Sequence, residues 1–351
     1  MRKTKEFYRG CLVGGAVGDA LGWSVQFMDL NKIKSKFGEA GLCDINIGVK
    51  GTAEISDETQ LTLFTAEGLL RYECKKWNKG VASLKEELFL AYLRWVYTQT
   101  GYINSELSES YNGYLISKTD LYARRYPSRD TIRTLKKINI NNLDEDLNIT
   151  KGCGAVMRVA PIGLFYNTSL SFQKGIDCGR ITHGHKRGYI CAGIMSYIIS
   201  AIISDASIIE AIKESINELK KTNLDNELAC NIEKVLEISN NSKKNDEKII
   251  ESFGRGFTAE EALSIAIYCS IKYGDNFEKA VLKAANHSGN SNTAASLTGN
   301  IVGAYLGEKS IPKKWKTKLE LSDVLKEISD DLLIGYSDEG NWWTKYPYNY
   351  F

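Results

Sequence analysis

Two stretches of the chain crowd together side chains that can ligate a cation or move a proton. In Glu54-Ile55-Ser56-Asp57-Glu58-Thr59-Gln60, adjacent carboxylates stand beside the hydroxyls of Ser56 and Thr59, the oxygen ligands that magnesium, manganese or calcium take. The apolar series Leu61, Phe64, Ala66, Leu69 and Leu70 follows at once, so the two acids also sit where the first turn of a helix favours negative charge. The residues alone leave both readings open: Asp57 and Glu58 complement a helix dipole, or they face a hard cation and its chemistry. The second stretch, Asn286-His287-Ser288-Gly289-Asn290-Ser291-Asn292-Thr293, is a polar loop between an alanine-rich helical segment and the glycine-spaced segment Ala294 to Gly307. At a helix start such a loop meets free backbone N–H groups, which favour anions and hydrogen-bond acceptors. A loop of this form often holds a divalent metal with two carboxylates one residue apart; here those positions are the amides Asn290 and Asn292.

Two shorter stretches add candidates. Lys151-Gly152-Cys153-Gly154 precedes the apolar segment Ala155 to Pro161, and its glycines let the backbone approach a ligand and offer N–H groups, as a phosphate cradle does. Thr182-His183-Gly184-His185 supplies two of the three histidines in the chain. With no third soft ligand nearby, zinc is not the expected occupant, and the histidines hydrogen-bond a ligand or pack at a helix start.

The elements that position these residues read as helices. Thr4 can cap a helix through Phe7, Cys11 and Val13 that carries Gly14, Gly18 and Gly22 on one face; Gly299, Gly303 and Gly307 repeat the spacing. Glycine in a helix interior costs about 1 kcal/mol against alanine, so two such ladders predict two helices in tight contact, which brings the N-terminal segment beside the Asn286 to Thr293 loop. Asp19, among these small residues, either caps or faces the site. Residues 29 to 55 show no helical period and read as an irregular cover over a pocket. Ser83 with Glu86, and Thr258 with Glu261, have the form of capping boxes; Ile208 to Leu219 and Asn231 to Ile238 are amphipathic, and no stretch sustains a period of two. The expected architecture is all-α, a single multi-helix domain over residues 1–351, because the four prolines and the dispersed glycines mark no linker.

Composition narrows the partners. A net charge of +2, with Lys and Arg dispersed among nearly as many acids, lacks the basic stripe of a nucleic-acid binder. Tyr189 to Ile203, the most apolar run, is shorter than the roughly 20 residues that span a bilayer, and the basic N-terminus lacks a signal-peptide core, so no membrane is expected. The eight cysteines form no C-x-x-C pair, and Cys191 and Cys269 lie in apolar runs, so a reducing, cytoplasmic location is expected.

Taken in order, Gly14 to Gly22, Ser56 to Gln60, Lys151 to Pro161, Thr182 to His185 and Asn286 to Thr293 resemble the ADP-ribosylglycohydrolases across nearly the whole chain. The tail Trp342-Trp343-Thr344-Lys345-Tyr346-Pro347 is similar to the end of bacterial members, including the dinitrogenase-reductase-activating type. The resemblance implies a helical domain with a cleft for ADP-ribose over two magnesium or manganese ions. Their ligand positions fall on Ser56, Asp57, Glu58, Asn290, Asn292 and Thr293; the retained carboxylates Asp57 and Glu58 are the catalytic candidates, working with one ion or as a metal-free acid/base pair. It further implies that Gly152, Cys153, Gly154 and His183 lie along the ADP-ribose, and the polar loop adds Asn286, Ser288 and Gly289 as candidate ligand contacts. The family pattern has aspartate at positions 58, 290 and 292 and glutamate at 26; this chain has Glu58, Asn290, Asn292 and Gln26. Ligand charge sets much of the affinity for a hard cation. The expectation is therefore one weakly held magnesium or manganese ion, or none, and no organic cofactor. Three functions remain: hydrolysis of an ADP-ribosyl bond on a modified protein side chain, recognition of ADP-ribose by a pseudoenzyme, and a remodelled activity on NAD or ADP-ribose such as transfer. The expected partner in each case is ADP-ribose or an ADP-ribosylated protein.

Overall fold

The computed structural model describes residues 1–143, 148–241 and 245–348. Its helices, in chain order, are α1 (Lys5–Trp23), α2 (Leu30–Phe37), α3 (Asp57–Lys79), α4 (Leu84–Thr100), α5 (Arg129–Lys137), α6 (Ala160–Phe165), α7 (Thr168–Arg180), α8 (Lys186–Ile203), α9 (Ile208–Thr222), α10 (Asn226–Asn241), α11 (Asp246–Ser252), α12 (Ala259–Tyr273), α13 (Phe277–Ala285), α14 (Ser291–Leu306), α15 (Lys313–Lys316), α16 (Ser322–Ile334) and α17 (Trp342–Lys345). Among the described residues there is no strand, only two isolated bridges, Ala53 with Leu319 and Gly152 with Thr258. The all-α expectation holds.

The two glycine ladders meet as their spacing predicts. A Cβ on Gly14 would come within 2.5 Å of the Gly299 carbonyl oxygen, and one on Gly18 or Gly303 would fall on the carbonyls of Ala295 and Gly10. The register differs from the sequence expectation at both ends: Gly10 joins the ladder, and Gly307 is the residue that ends α14, at φ +85°. Because the pairing runs antiparallel, the start of α14 lies against the end of α1, where Gly22 touches the Asn292 backbone. This contact sets Asn290, Asn292 and Thr293 beside the segment that follows Trp23.

Around this pair the other helices close the core. The apolar run beginning at Tyr189 forms most of α8; it is the one helix among the described residues long and apolar enough to cross a membrane, and 78% of it is buried inside the protein. Thr258 and Glu261 complete a capping box at α12, and Ser83 accepts the Glu86 N–H at α4. A further box, Ser207 with Glu210, opens α9. Thr4 occupies the N-cap position of α1, but its side chain makes no capping bond. Residues 29 to 55 are not irregular throughout: α2 forms within them. This two-turn helix buries only Ile33, too few apolar positions to show a period.

Candidate active site

Asp19, on α1, fixes the start of α3. Its carboxylate accepts the Ser56 N–H at 2.8 Å, the Ser56 hydroxyl at 2.5 Å, the Thr59 N–H at 3.2 Å and the Thr59 hydroxyl at 2.6 Å. Of the two roles open to Asp19, capping is the one the structure gives it, since these bonds satisfy backbone donors that a helix start leaves unpaired. Asp57 and Glu58 therefore project from a turn bolted to a second helix. Asp57 Oδ2 accepts the Ser128 N–H at 3.3 Å, and Glu58 Oε1 accepts the Thr293 hydroxyl at 2.5 Å. Both acids are buried, at 6% and 2% exposure, whereas acids that merely complement a dipole lie in water. Burial, and then the neighbouring Asp19 charge, pushes the Asp57 carboxyl up to about 8. Burial, and then Asp57 and Asp19, raises Glu58 well above the carboxylate range. Asp19 itself rises to about 6 through burial, opposed by its four hydrogen bonds. Such a cluster wants a proton or a cation among its charges.

The second motif closes over the first. Asn292 Nδ2 donates to Ser56 Oγ at 3.1 Å and lies 3.5 Å from Glu58 Oε1. Asn290 Nδ2, with two protons to give, lies 2.6 Å from Thr293 Oγ1, 3.1 Å from Cys153 Sγ and 3.3 Å from the Gly256 carbonyl, while Asn290 Oδ1 accepts from Gln26 Nε2 at 3.0 Å. The structure thus brings Ser56, Asp57, Glu58, Asn290, Asn292, Thr293 and Cys153 to one place. Burial, then the Glu58 charge, holds the Cys153 thiol up at about 12, so it stays protonated.

Asn286, Ser288 and Gly289 are engaged elsewhere. The Asn286 amide bonds the N–H and carbonyl of Leu42, Ser288 Oγ accepts the Leu30 N–H at 2.9 Å, and Gly289, at φ +122°, pairs its backbone with Phe27 and Met28. These residues strap the segment around α2 to the loop before α14. In the Lys151 loop the Gly152 N–H is held by Thr150 Oγ1 at 3.1 Å, so it is not a free phosphate donor as the two glycines had suggested. Gly154 lies against His183: a Cβ there would stand 3.1 Å from the His183 ring. Burial, then the Arg158 charge, lowers His183 to about 3, which leaves it neutral with Nδ1 on the Thr182 hydroxyl at 2.8 Å. His185 caps α8 by accepting the Arg187 N–H.

An aromatic rim escaped the sequence reading. Phe27 follows Gln26, Phe257 follows Gly256, and Tyr126 lies two residues before Ser128, so each is next to a group bonded to the site. Phe27 and Phe257 stack with centroids 6.1 Å apart, and Tyr126 meets both Phe27 and Trp23 at 5.7 Å. All but Trp23 are exposed, Tyr126 at 71%. Phe27 and Tyr126 sit at φ +65° and +47°, conformations that cost bulky residues on the order of 1–3 kcal/mol. Isolated aromatics at unrelated positions carry no periodic signal.

A divalent cation is the group implied for this place. Among the described residues no three His, Cys, Asp or Glu side chains cluster as a ready ligand set. The donor chemistry nonetheless fits one hard cation: Glu58 Oε2 and Asn292 Oδ1 are buried acceptors with no donor, next to the Asp57 carboxylate.

A helical fold of this organisation, with paired acidic and polar motifs at the starts of two helices, is that of the ADP-ribosylglycohydrolases, and the chain belongs to that family, whose profile matches residues 1–341. It is 25% identical to the ADP-ribosylarginine hydrolase Tri1 of Serratia proteamaculans, over 94% of this chain and 80% of the relative. It is 20% identical to mouse ADP-ribosylhydrolase ARH3, over 89% of this chain and 87% of the relative. An uncharacterized protein of Archaeoglobus fulgidus is 27% identical over 93% of this chain. Among solved structures, an ADP-ribosylglycohydrolase-related protein complex superimposes with a TM-score of 0.67 at 20% identity, covering 95% of this chain and 99% of the other, which shows a common fold.

Proposed function

We propose that the protein hydrolyses the N-glycosidic bond between ADP-ribose and a modified protein side chain, with an arginine guanidinium as the attached group. The observation that carries this reading is the buried carboxylate pair Asp57 and Glu58, fixed by Asp19, Ser128 and Thr293 rather than left to solvent. Family membership supports the bond type, and the relative that acts on ADP-ribosylarginine supports the attached group.

In this scheme Asp57, Glu58 and Asn292 would hold one magnesium or manganese ion, which would supply positive charge to orient the ribose and to acidify water. The bond from the ribose anomeric carbon to the guanidine nitrogen breaks through an oxocarbenium-like state that the carboxylates stabilise. Beside a cation Asp57 would stay ionised despite its raised pKa, so that it would take a proton from the attacking water as the water oxygen adds to the anomeric carbon. The same carboxyl returns the proton to the departing nitrogen, so the net reaction consumes one water. Gly152, Gly154 and the neutral His183 would line the rest of the ADP-ribose. Lys151 would face the diphosphate from a cavity of about 530 Å³ that is also lined by Lys234, by Glu261 and by Arg187 in its ion pair with Glu260. The eight free thiols support action in the reducing cytoplasm.

The test is turnover of an ADP-ribosylarginine peptide, with manganese supplied, followed by mass spectrometry. Wild type should release ADP-ribose, and Asp57→Asn should slow release by at least about 100-fold, the scale of a lost general base. No release from ADP-ribosylated arginine, with binding intact, would sink the hydrolase reading. One observation favours a second reading, a binder that does not cut: amides occupy both Asn290 and Asn292. Calorimetry with free ADP-ribose separates the two, because the binder retains affinity without turnover.

A further inference from the structure

We infer that this site accepts one divalent cation and not two, because a directed hydrogen-bond chain, Gln26 to Asn290 to Thr293 to Glu58, engages the polar groups on the Asn290 side of it. The inference rests on the assignment of Asp57, Glu58 and Asn292 to the first ion, and its readout is an ion count that does not depend on turnover.

The direction of the chain follows from which atoms can donate. The Gly256 carbonyl only accepts, so the Asn290 atom 3.3 Å from it is nitrogen. Asn290 thus turns its two N–H groups toward the side where Thr293 Oγ1 lies at 2.6 Å, Cys153 Sγ at 3.1 Å and the Gly256 carbonyl at 3.3 Å, and turns Oδ1 away to accept from Gln26 at 3.0 Å. Thr293 has one proton, which goes to Glu58 Oε1 at 2.5 Å, and its oxygen receives the Asn290 N–H. A cation needs lone pairs, and the Asn290 amide as it is held presents hydrogens to this side. To offer Oδ1 to an ion, Asn290 would have to rotate by a half turn and give up its contacts to Gly256, Cys153 and Thr293, and Gln26 would have to turn with it to bring its own Oε1, buried and without a donor, to the Asn290 NH2.

The other side has the opposite character. Ser56 gives its proton to Asp19 and so accepts from Asn292 Nδ2, which points that amide's nitrogen at Ser56 and leaves Oδ1 over. Asn292 Oδ1 and Glu58 Oε2 are thus two acceptors on adjoining side chains, both buried and both without a donor. Asn292 is 0% exposed and Glu58 2%, so water from bulk does not reach them freely. A hard cation between them would satisfy both, with the Asp57 carboxylate supplying the remaining charge.

The experiment is equilibrium dialysis of chelator-stripped full-length protein against manganese, with bound metal counted by elemental analysis and its electron paramagnetic resonance recorded. Wild type should hold one manganese per chain with the six-line spectrum of an isolated ion. The Asn290→Asp, Asn292→Asp double variant, which replaces donors by carboxylate oxygens, should hold two, with a spin-coupled spectrum. Wild type that binds two ions, or none, overturns the inference. A folded double variant that still takes only one shows that the amides are not what excludes the second, and overturns it equally. Should the double variant fail to fold, the wild-type count still decides.

Discussion

At the scale of single residues, the site depends on groups that do no chemistry. Asp19 carries the first turn of α3, and Asp19→Ala would strand the buried N–H groups of Ser56 and Thr59. Each stranded donor costs about 1–3 kcal/mol, so we expect a loss of at least roughly 2 kcal/mol in urea unfolding, measured with chelator present so that metal does not enter. A loss near zero would mean that α3 starts where it does for other reasons. His183 makes a separate prediction. Its ordinary pKa of about 6.5 falls to about 3 in the fold, so between those values the unfolded chain binds a proton that the native protein does not. Stability from this group is therefore complete above pH 6.5 and is lost at about 1.4 kcal/mol per pH unit as the pH drops toward 3. Asp57 and Asp19, whose carboxyls are raised, work in the other direction as the pH falls. The clean measurement is consequently the difference between wild type and His183→Asn across pH 4 to 7; parallel stability curves would rule the buried neutral histidine out.

At the scale of elements, the α1–α14 pair decides where the motifs meet. Alanine normally stabilises a helix over glycine by about 1 kcal/mol. At Gly18 we expect the reverse, because the added methyl would overlap the Ala295 carbonyl, a backbone atom that cannot swing away. Overpacking of this kind costs about 1–3 kcal/mol or more, so Gly18→Ala should lower the urea midpoint; an unchanged or raised midpoint would refute the close approach. This contact was legible in the sequence because spacing by four is a helical signal that survives without knowledge of the partner. The positions of Ser56 to Glu58 and of Asn290 to Thr293 were legible for a different reason, their density of oxygen and amide groups beside apolar helices. What was not legible depends on contacts between distant parts of the chain. Nothing local shows that Asn286 and Ser288 bond the backbone of Leu42 and Leu30, or that Phe27, Tyr126 and Phe257 converge. Helix α2 was missed because one buried isoleucine cannot display a period.

At the scale of the whole molecule, the site draws on residues from Asp19 to Thr293, so it exists only when the chain has folded as one unit. The C-terminal tail shows how stability and site are separated within that unit. Trp342 is buried and donates its indole N–H to Cys74 Sγ at 3.0 Å; Tyr346 is buried with its hydroxyl on Asp331 at 2.6 Å, beside the Lys345 ammonium. Tyr346 therefore ties the tail to α16, while Trp342 braces the far half of α3. Between Asp57 and Cys74 that helix rises about 25 Å at 1.5 Å per residue, well outside the reach of any direct contact with the carboxylates. Removing a buried aromatic of this size costs about 3–5 kcal/mol. We accordingly expect Trp342→Ala to lower the thermal midpoint in a single transition, reported together by helical circular dichroism and tryptophan fluorescence. At 25 °C, where the variant remains folded, ADP-ribose affinity measured by calorimetry should stay within about twofold of wild type. A large loss of affinity in the folded variant would show that α3 transmits disorder along its length, and the site would then depend on the tail after all.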